Sequence, residues 1–192
     1  MKEMISNPWR GRGLPDGTLR PLADASAVTA LLSRCPAHAA TPLRSLPSLA
    51  QDCGIAELWV KDERARMGLG SFKALGAELF GAKAMIFLSE TVPEAFSERP
   101  RAKGAEVVRA GADYEASMQA AAATAAAQGL TLLSDSTWPG YTDLPLRVME
   151  GYLQLAAEAA AEIPEPPTHI LLQAGVGGLA AAVAAHARLV WG

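Results

Sequence analysis

The sequence holds few of the residue types that build metal sites. Its 192 residues include two cysteines, Cys35 and Cys53, and three histidines, His38, His169 and His186. The cysteines are not in a CxxC arrangement and the histidines lack ligand spacing, so no zinc site is expected and a reducing, cytoplasmic setting is favoured. Long hydrophobic runs are missing too: nothing approaches a membrane span, and the N-terminal MKEMISNPWRGRGLPDG lacks the apolar stretch of a signal peptide. An excess of one charge is also absent. Seventeen Lys and Arg against twenty Asp and Glu leave a formal charge of −3, which argues against a polyanion-binding surface and a nucleic-acid partner.

What is present is core-forming material. Half of the residues are hydrophobic and 19% are charged, enough for one sizeable core or two small ones. Residues 1–22 are rich in Gly, Pro and Arg without a hydrophobic period and read as an extended arm. Helices are expected over 24–34, stopped by Pro36, and over 41–54, stopped by Gly54. Further helices are expected at 71–84, where Ser71 can cap, and at 93–103. The Ala-rich run 114–128, ended by Gly129, reads as another, as do 143–162 and 177–190. Short apolar runs at 57–61, 84–88, 105–109, 130–133 and 169–173 read as strands. Strands alternating with helices predict an α/β architecture with mostly parallel sheets covered on both faces.

Three segments can carry chemistry. The first, K-D-E-R-A-R-M-G-L-G-S-F-K at 61–73, packs charges and glycines between a strand and a helix, where α/β proteins build sites. If Ser71 caps the helix, Lys73 lies in its first turn. There the helix dipole and partial burial beside Phe72 would favour the neutral amine that Schiff-base chemistry needs. The alternative is an ordinary surface lysine. The second, Q-A-G-V-G-G-L-A at 173–180, follows a strand and opens a helix, so its backbone N–H groups can converge on a phosphate. No acidic residue follows to hold a dinucleotide ribose, which favours a simpler phosphate over NAD; the alternative is a turn that lets helix and strand pack closely. The third, S-D-S-T-W-P-G-Y at 134–141, is a polar, aromatic loop in which Asp135 either serves a ligand or accepts backbone hydrogen bonds in a turn. The three histidines read as structural or surface residues.

Taken together, T-P-L, K-D-E-x-x-R-x-G-L-x-S-F-K-A-L-G, S-D-S-T-W-P-G-Y and P-T-H-I-L-L-Q-A-G-V-G-G resemble the diaminopropionate ammonia-lyases, which belong to the tryptophan-synthase-β-like, fold type II, pyridoxal phosphate enzymes. The resemblance implies a three-layer α/β fold of open, twisted, mostly parallel sheets. Its larger domain would comprise 1–76 and 135–192, and a smaller inserted α/β domain would comprise 77–134. It implies that Lys73 bonds pyridoxal 5'-phosphate as a Schiff base and removes the substrate's α-proton, with Asp135 as a second catalytic residue. It places Phe72, Gly175, Val176, Gly177, Gly178 and Leu179 around the cofactor, the glycines forming the phosphate cup. The implied reaction is α,β-elimination of 2,3-diaminopropionate to pyruvate and ammonia by a cytoplasmic homodimer.

The pattern is incomplete in this chain. The run after Lys73 passes directly into a strand that the family reaches much later, and the family's D-G-N-H-G loop, with its ring-contacting asparagine and further acid–base aspartate, is absent. The chain also stops after the phosphate-loop helix, which leaves out the family's contact to the pyridine nitrogen. Two alternatives therefore stand beside the ammonia-lyase reading: a serine or threonine dehydratase-like lyase, and a non-catalytic fragment of such an enzyme.

Overall fold

The computed structural model describes residues 8, 17, 18, 20–68, 70, 71, 73 and 84–192. The Asp24 carboxylate accepts from the N–H and hydroxyl of Ser26, and helix α1 follows over Ser26–Leu32 with Val28 and Leu32 buried. The segment expected as one helix over 41–54 divides in two. Leu43–Ser45 forms strand β1, and α2 occupies only Pro47–Asp52. Pro47 explains the break, because proline fits the first turn of a helix but not its interior.

Strand β2, Trp59–Lys61, pairs antiparallel with β1, Leu43 opposite Lys61 and Ser45 opposite Trp59. This pair is antiparallel, not the parallel pairing that the alternation of strands and helices predicts. A turn of 3-10 helix at Glu63–Gly68 then breaks at Met67, whose φ of 50° is rare for a bulky residue. The helix expected at 71–84 falls almost wholly outside the described residues, as does Phe72.

A strand–helix–strand unit follows, with β3 at Met85–Leu88, α3 at Ala95–Ala102 and β4 at Glu106–Arg109. Here the pairing is parallel, from Met85 opposite Glu106 to Leu88 opposite Arg109. Helix α4 spans Tyr114–Gln128, capped by the Asp113 carboxylate accepting from the Ala116 N–H at 2.8 Å and ended by left-handed Gly129.

Helix α5, Asp143–Glu162, and helix α6, Gly178–Trp191, are the scaffold of the core. Val148, Tyr152, Leu153, Leu155 and Ala156 of α5 pack with Leu179, Ala182 and Val183 of α6, and with Ala25, Val28, Leu32 and Met67 from earlier in the chain. Among the described residues, 130–133 and 169–173 are not strands. A strand exists only through a partner's hydrogen bonds, and neither run has one there; Leu171 is left 87% exposed. No described helix is long and apolar enough to cross a membrane.

Candidate active site

The charges of the 61–66 run are consumed by folding. Arg66 has no exposed surface and donates from all three nitrogens: Nε to Glu63 at 2.8 Å, Nη1 to Ala39 O at 3.0 Å and Glu158 at 2.9 Å, and Nη2 to Thr41, Glu63 and Glu158 at 2.7–3.0 Å. Lys61 reaches Thr41 O at 2.6 Å, Glu158 at 2.9 Å and Glu162 at 3.2 Å, while Asp62 holds Arg64 and Arg44. Gln154, held by Thr29, donates to Glu158 at 3.1 Å.

Burial opposes both charges of the central pair, but the contacts win. Against its burial, Glu158 is held at about 2 by Arg66, Lys61 and Gln154, and Arg66 is pushed above the ordinary guanidinium range by Glu158 and Glu63. Burial also pushes His38, 3.9 Å from Glu158, below the ordinary imidazole value. Sequence reasoning missed this network. Its one legible signal is a glutamate at position 158, four residues after Gln154 on the stripe that also buries Leu155.

From Arg66 the chain turns through left-handed Met67, Gly68 and Gly70 to Ser71, whose Oγ accepts the Lys73 N–H at 3.3 Å. The Lys73 side chain is 62% exposed, so burial is not what defines its setting. Its Nζ donates to Asp135 Oδ2 at 2.7 Å, and Tyr152 Oη donates to the same oxygen at 3.0 Å. Tyr152, 1% exposed, was not singled out in the sequence. Burial and the neighbouring Asp135 charge raise its hydroxyl well above the usual phenol range, which keeps it a donor.

Asp135 is held in place by the loop that carries it. Trp138-Pro139-Gly140-Tyr141 has proline second and left-handed Gly140 third, the pattern of a type II turn. The ends bond reciprocally, and the Trp138 and Tyr141 rings stack at 4.3 Å. Tyr141 Oη donates to Leu132 O at 2.7 Å and accepts the Ser134 N–H at 3.0 Å. The turn contact expected of Asp135 is made instead by Ser134, whose Oγ accepts the Ser136 N–H at 3.1 Å, which leaves Asp135 to side-chain donors.

Gly178 brings the third element in. A Cβ there would lie 3.0 Å from Asp135 O and 3.4 Å from Met149 Cγ, so only glycine lets the α6 N-terminus approach this loop without displacing it. Gly177, with φ of 90°, supplies no side-chain cap, and the first N–H groups of α6 have no acceptor within the helix. A Cβ on Gly175 or Gly177 would meet nothing within 4 Å, so the turn faces open space. Gly175 and Val176 are exposed; Leu179 is different, its side chain 7% exposed within the core, so only its backbone is available to a ligand. Two surface depressions beside α1 are lined by neither Lys73, Asp135 nor the glycine turn. Buried His186 meets Ala23 O at 2.8 Å, tying α6 to the segment before α1, and exposed His169 meets the adjacent Thr168.

An amine on a carboxylate, next to an uncapped glycine turn open to solvent, is a donor set that suits a phosphorylated aldehyde: the amine for the carbonyl, the N–H groups for the phosphate. Comparison with known proteins agrees. The family model described as pyridoxal-phosphate dependent enzyme matches residues 74–192, and the chain belongs to that family, whose cofactor is pyridoxal phosphate. It is similar to the diaminopropionate ammonia-lyase of Salmonella typhimurium, 28% identical over 214 aligned positions that cover 81% of this chain and 53% of the relative. That aligned span is longer than this whole chain, so the relative carries residues within it that are missing here. The apo crystal structure of the Escherichia coli diaminopropionate ammonia lyase superposes with a TM-score of 0.80 at 27% identity, covering 89% of this chain and 61% of that one. Maize serine racemase, at 20% identity and a TM-score of 0.69 over 88% of this chain and 58% of its own, shares the fold, which is of type II. The chain spans about half the length of the curated relatives it matches.

Proposed function

We propose that this chain carries the lysine, the phosphate turn and one acid–base carboxylate of a pyridoxal phosphate-dependent lyase that eliminates ammonia from 2,3-diaminopropionate. The observation that carries the reading is the meeting of Lys73, Asp135 and the 175–178 turn, three sites far apart in sequence. In this reading Lys73 Nζ would hold the cofactor through its aldehyde carbon, the carbonyl oxygen leaving as water, until the substrate's amine displaces the lysine and frees it as a base; the N–H groups at the start of α6 would hold the phosphate. The bound cofactor supplies a ring that accepts the electron pair left when the substrate loses its α-proton. Lys73 removes that proton, and Asp135, at 2.7 Å, receives or returns a proton at Nζ. Loss of the β-amino group then leads to pyruvate and ammonia. The resemblance of the 134–141 loop to that of the ammonia-lyases favours this substrate over serine or threonine.

The same reading divides the chain into a larger domain, 1–76 with 135–192, and an inserted part, 77–134. It is supported by a core drawn from 25–67 and 148–183 but not from β3, α3 or β4. A cytoplasmic homodimer belongs to the reading through the family resemblance. The test adds pyridoxal phosphate to the purified chain, reduces with borohydride and maps the product by mass spectrometry. An adduct confined to Lys73 is expected, followed by more ammonia from 2,3-diaminopropionate than from serine. No adduct, or labels scattered over several lysines, overturns the cofactor site. An adduct without ammonia release would make the chain a non-catalytic part of such an enzyme.

A further inference from the structure

Asp135 lies between two donors of different character. On its solvent side Lys73 is largely exposed, and on its inner side Tyr152 is packed in the core with Val148, Leu153 and Leu179. Both donate to Oδ2, at 2.7 and 3.0 Å, while the Asp135 side chain itself is 11% exposed. Asp135 belongs to a loop between α4 and α5, so no helix or strand ladder fixes its side chain. A phenol fully packed in the core retains little freedom beyond its hydroxyl rotor, and its donor therefore marks a fixed point.

We propose that Tyr152 is a positioning residue, its buried hydroxyl holding the Asp135 carboxylate in the orientation that binds the Lys73 amine. The proposal rests on the reading of Lys73 and Asp135 as the reacting pair. When Lys73 leaves the carboxylate to meet a ligand, Tyr152 remains as the donor that keeps the acceptor in place, so Lys73 returns to the same partner.

The test is run without cofactor, on the intact chain, so that it reads the pair and not the reaction. Lysines are labelled with limiting acetic anhydride, and the rate at Lys73 is followed by mass spectrometry. An amine held on a carboxylate must leave it to react. Asp135→Asn is expected to speed labelling of Lys73, and Tyr152→Phe to speed it roughly two- to tenfold, the range one hydrogen bond spans. In the Asp135→Asn background Tyr152→Phe should have no further effect, because its action passes through the carboxylate. Lys61, which is 10% exposed, reports folding by staying unlabelled. The same pair of backgrounds carrying 3,5-difluorotyrosine at 152, which keeps the ring and hydroxyl but changes donor strength, covers a Tyr152→Phe chain that fails to fold. Unchanged Lys73 labelling, or an equal change in both backgrounds, overturns the proposal. Failure of the borohydride adduct would refute the cofactor reading and leave this result standing.

Discussion

Arg66 with Glu158 and Lys73 with Asp135 are both cation–carboxylate contacts of 2.7 Å, one just before the glycine-rich turn and one just after it. Arg66 has no exposed surface and its donors are distributed over four residues; Lys73 is 62% exposed. Removing water from the first pair makes each charge dependent on the other, and the planar guanidinium suits a carboxylate accepting at both oxygens. The second pair is half open to solvent, where screening weakens it and a flexible ammonium can leave. Helix α5 serves both, through Glu158 toward Arg66 and through Tyr152 toward Asp135. One contact anchors the start of the lysine loop, and the other keeps its end available.

The largest effect should come from breaking the buried pair on one side. Glu158→Ala would leave the Arg66 charge without its main partner, and a loss of about 3–5 kcal/mol is expected from urea unfolding. Arg66→Met combined with Glu158→Leu should lose much less than either single change. If Glu158→Ala cost under about 1 kcal/mol, the contrast with the exposed pair would collapse.

Acid should attack the same pair. Glu158 is held at about 2 against an ordinary 4.5, so its stabilisation is fully present above pH 4.5 and is lost as the pH falls toward 2. The loss is on the order of 3 kcal/mol. His38, whose proton affinity burial lowers, adds a loss that begins below about pH 6.5, since the unfolded chain then binds the extra proton. Unfolding midpoints measured from pH 7 to pH 2.5 should fall throughout, and a chain already lacking both Arg66 and Glu158 should fall less steeply below pH 4.5.

Gly178→Ala tests the junction between the exposed pair and the phosphate turn. Its Cβ, 3.0 Å from Asp135 O, should cost about 1–2 kcal/mol on thermal unfolding and weaken the Lys73 adduct with pyridoxal phosphate. The smallest effect on stability belongs to Lys73→Ala, expected within about 0.5 kcal/mol of the parent while abolishing that adduct. A marked destabilisation would place Lys73 with Arg66 as a structural cation.

The helices were legible because their signals are local. Gly129 ends α4 by taking a left-handed conformation, and the Pro-rich stretch after Glu162 stops α5. Lys73, Asp135 and the glycines were legible as residue types at expected strand–helix junctions, and as a family resemblance, though not as neighbours. The runs 130–133 and 169–173 misled because a short apolar run shows what a buried strand would look like but not whether a partner lies beside it. The charged run at 61–66 misled in the opposite direction: site-like in sequence, it is mostly structural, and nothing in its spacing points to Glu158 or Thr41.

From the amino-acid order alone follow the segments that coil, the residues that cap and stop them, and the presence of an amine and a glycine turn suited to a phosphorylated cofactor. These depend on backbone sterics and on contacts within a few positions, which any short stretch of chain already contains. Which cation is sealed and which stays exposed to solvent depends on folding. Arg66 meets Glu158, and Lys73 meets Asp135 and through it Tyr152, only after long loops close and α5 and α6 pack, because burial and pairing are properties of the packed chain rather than of its order.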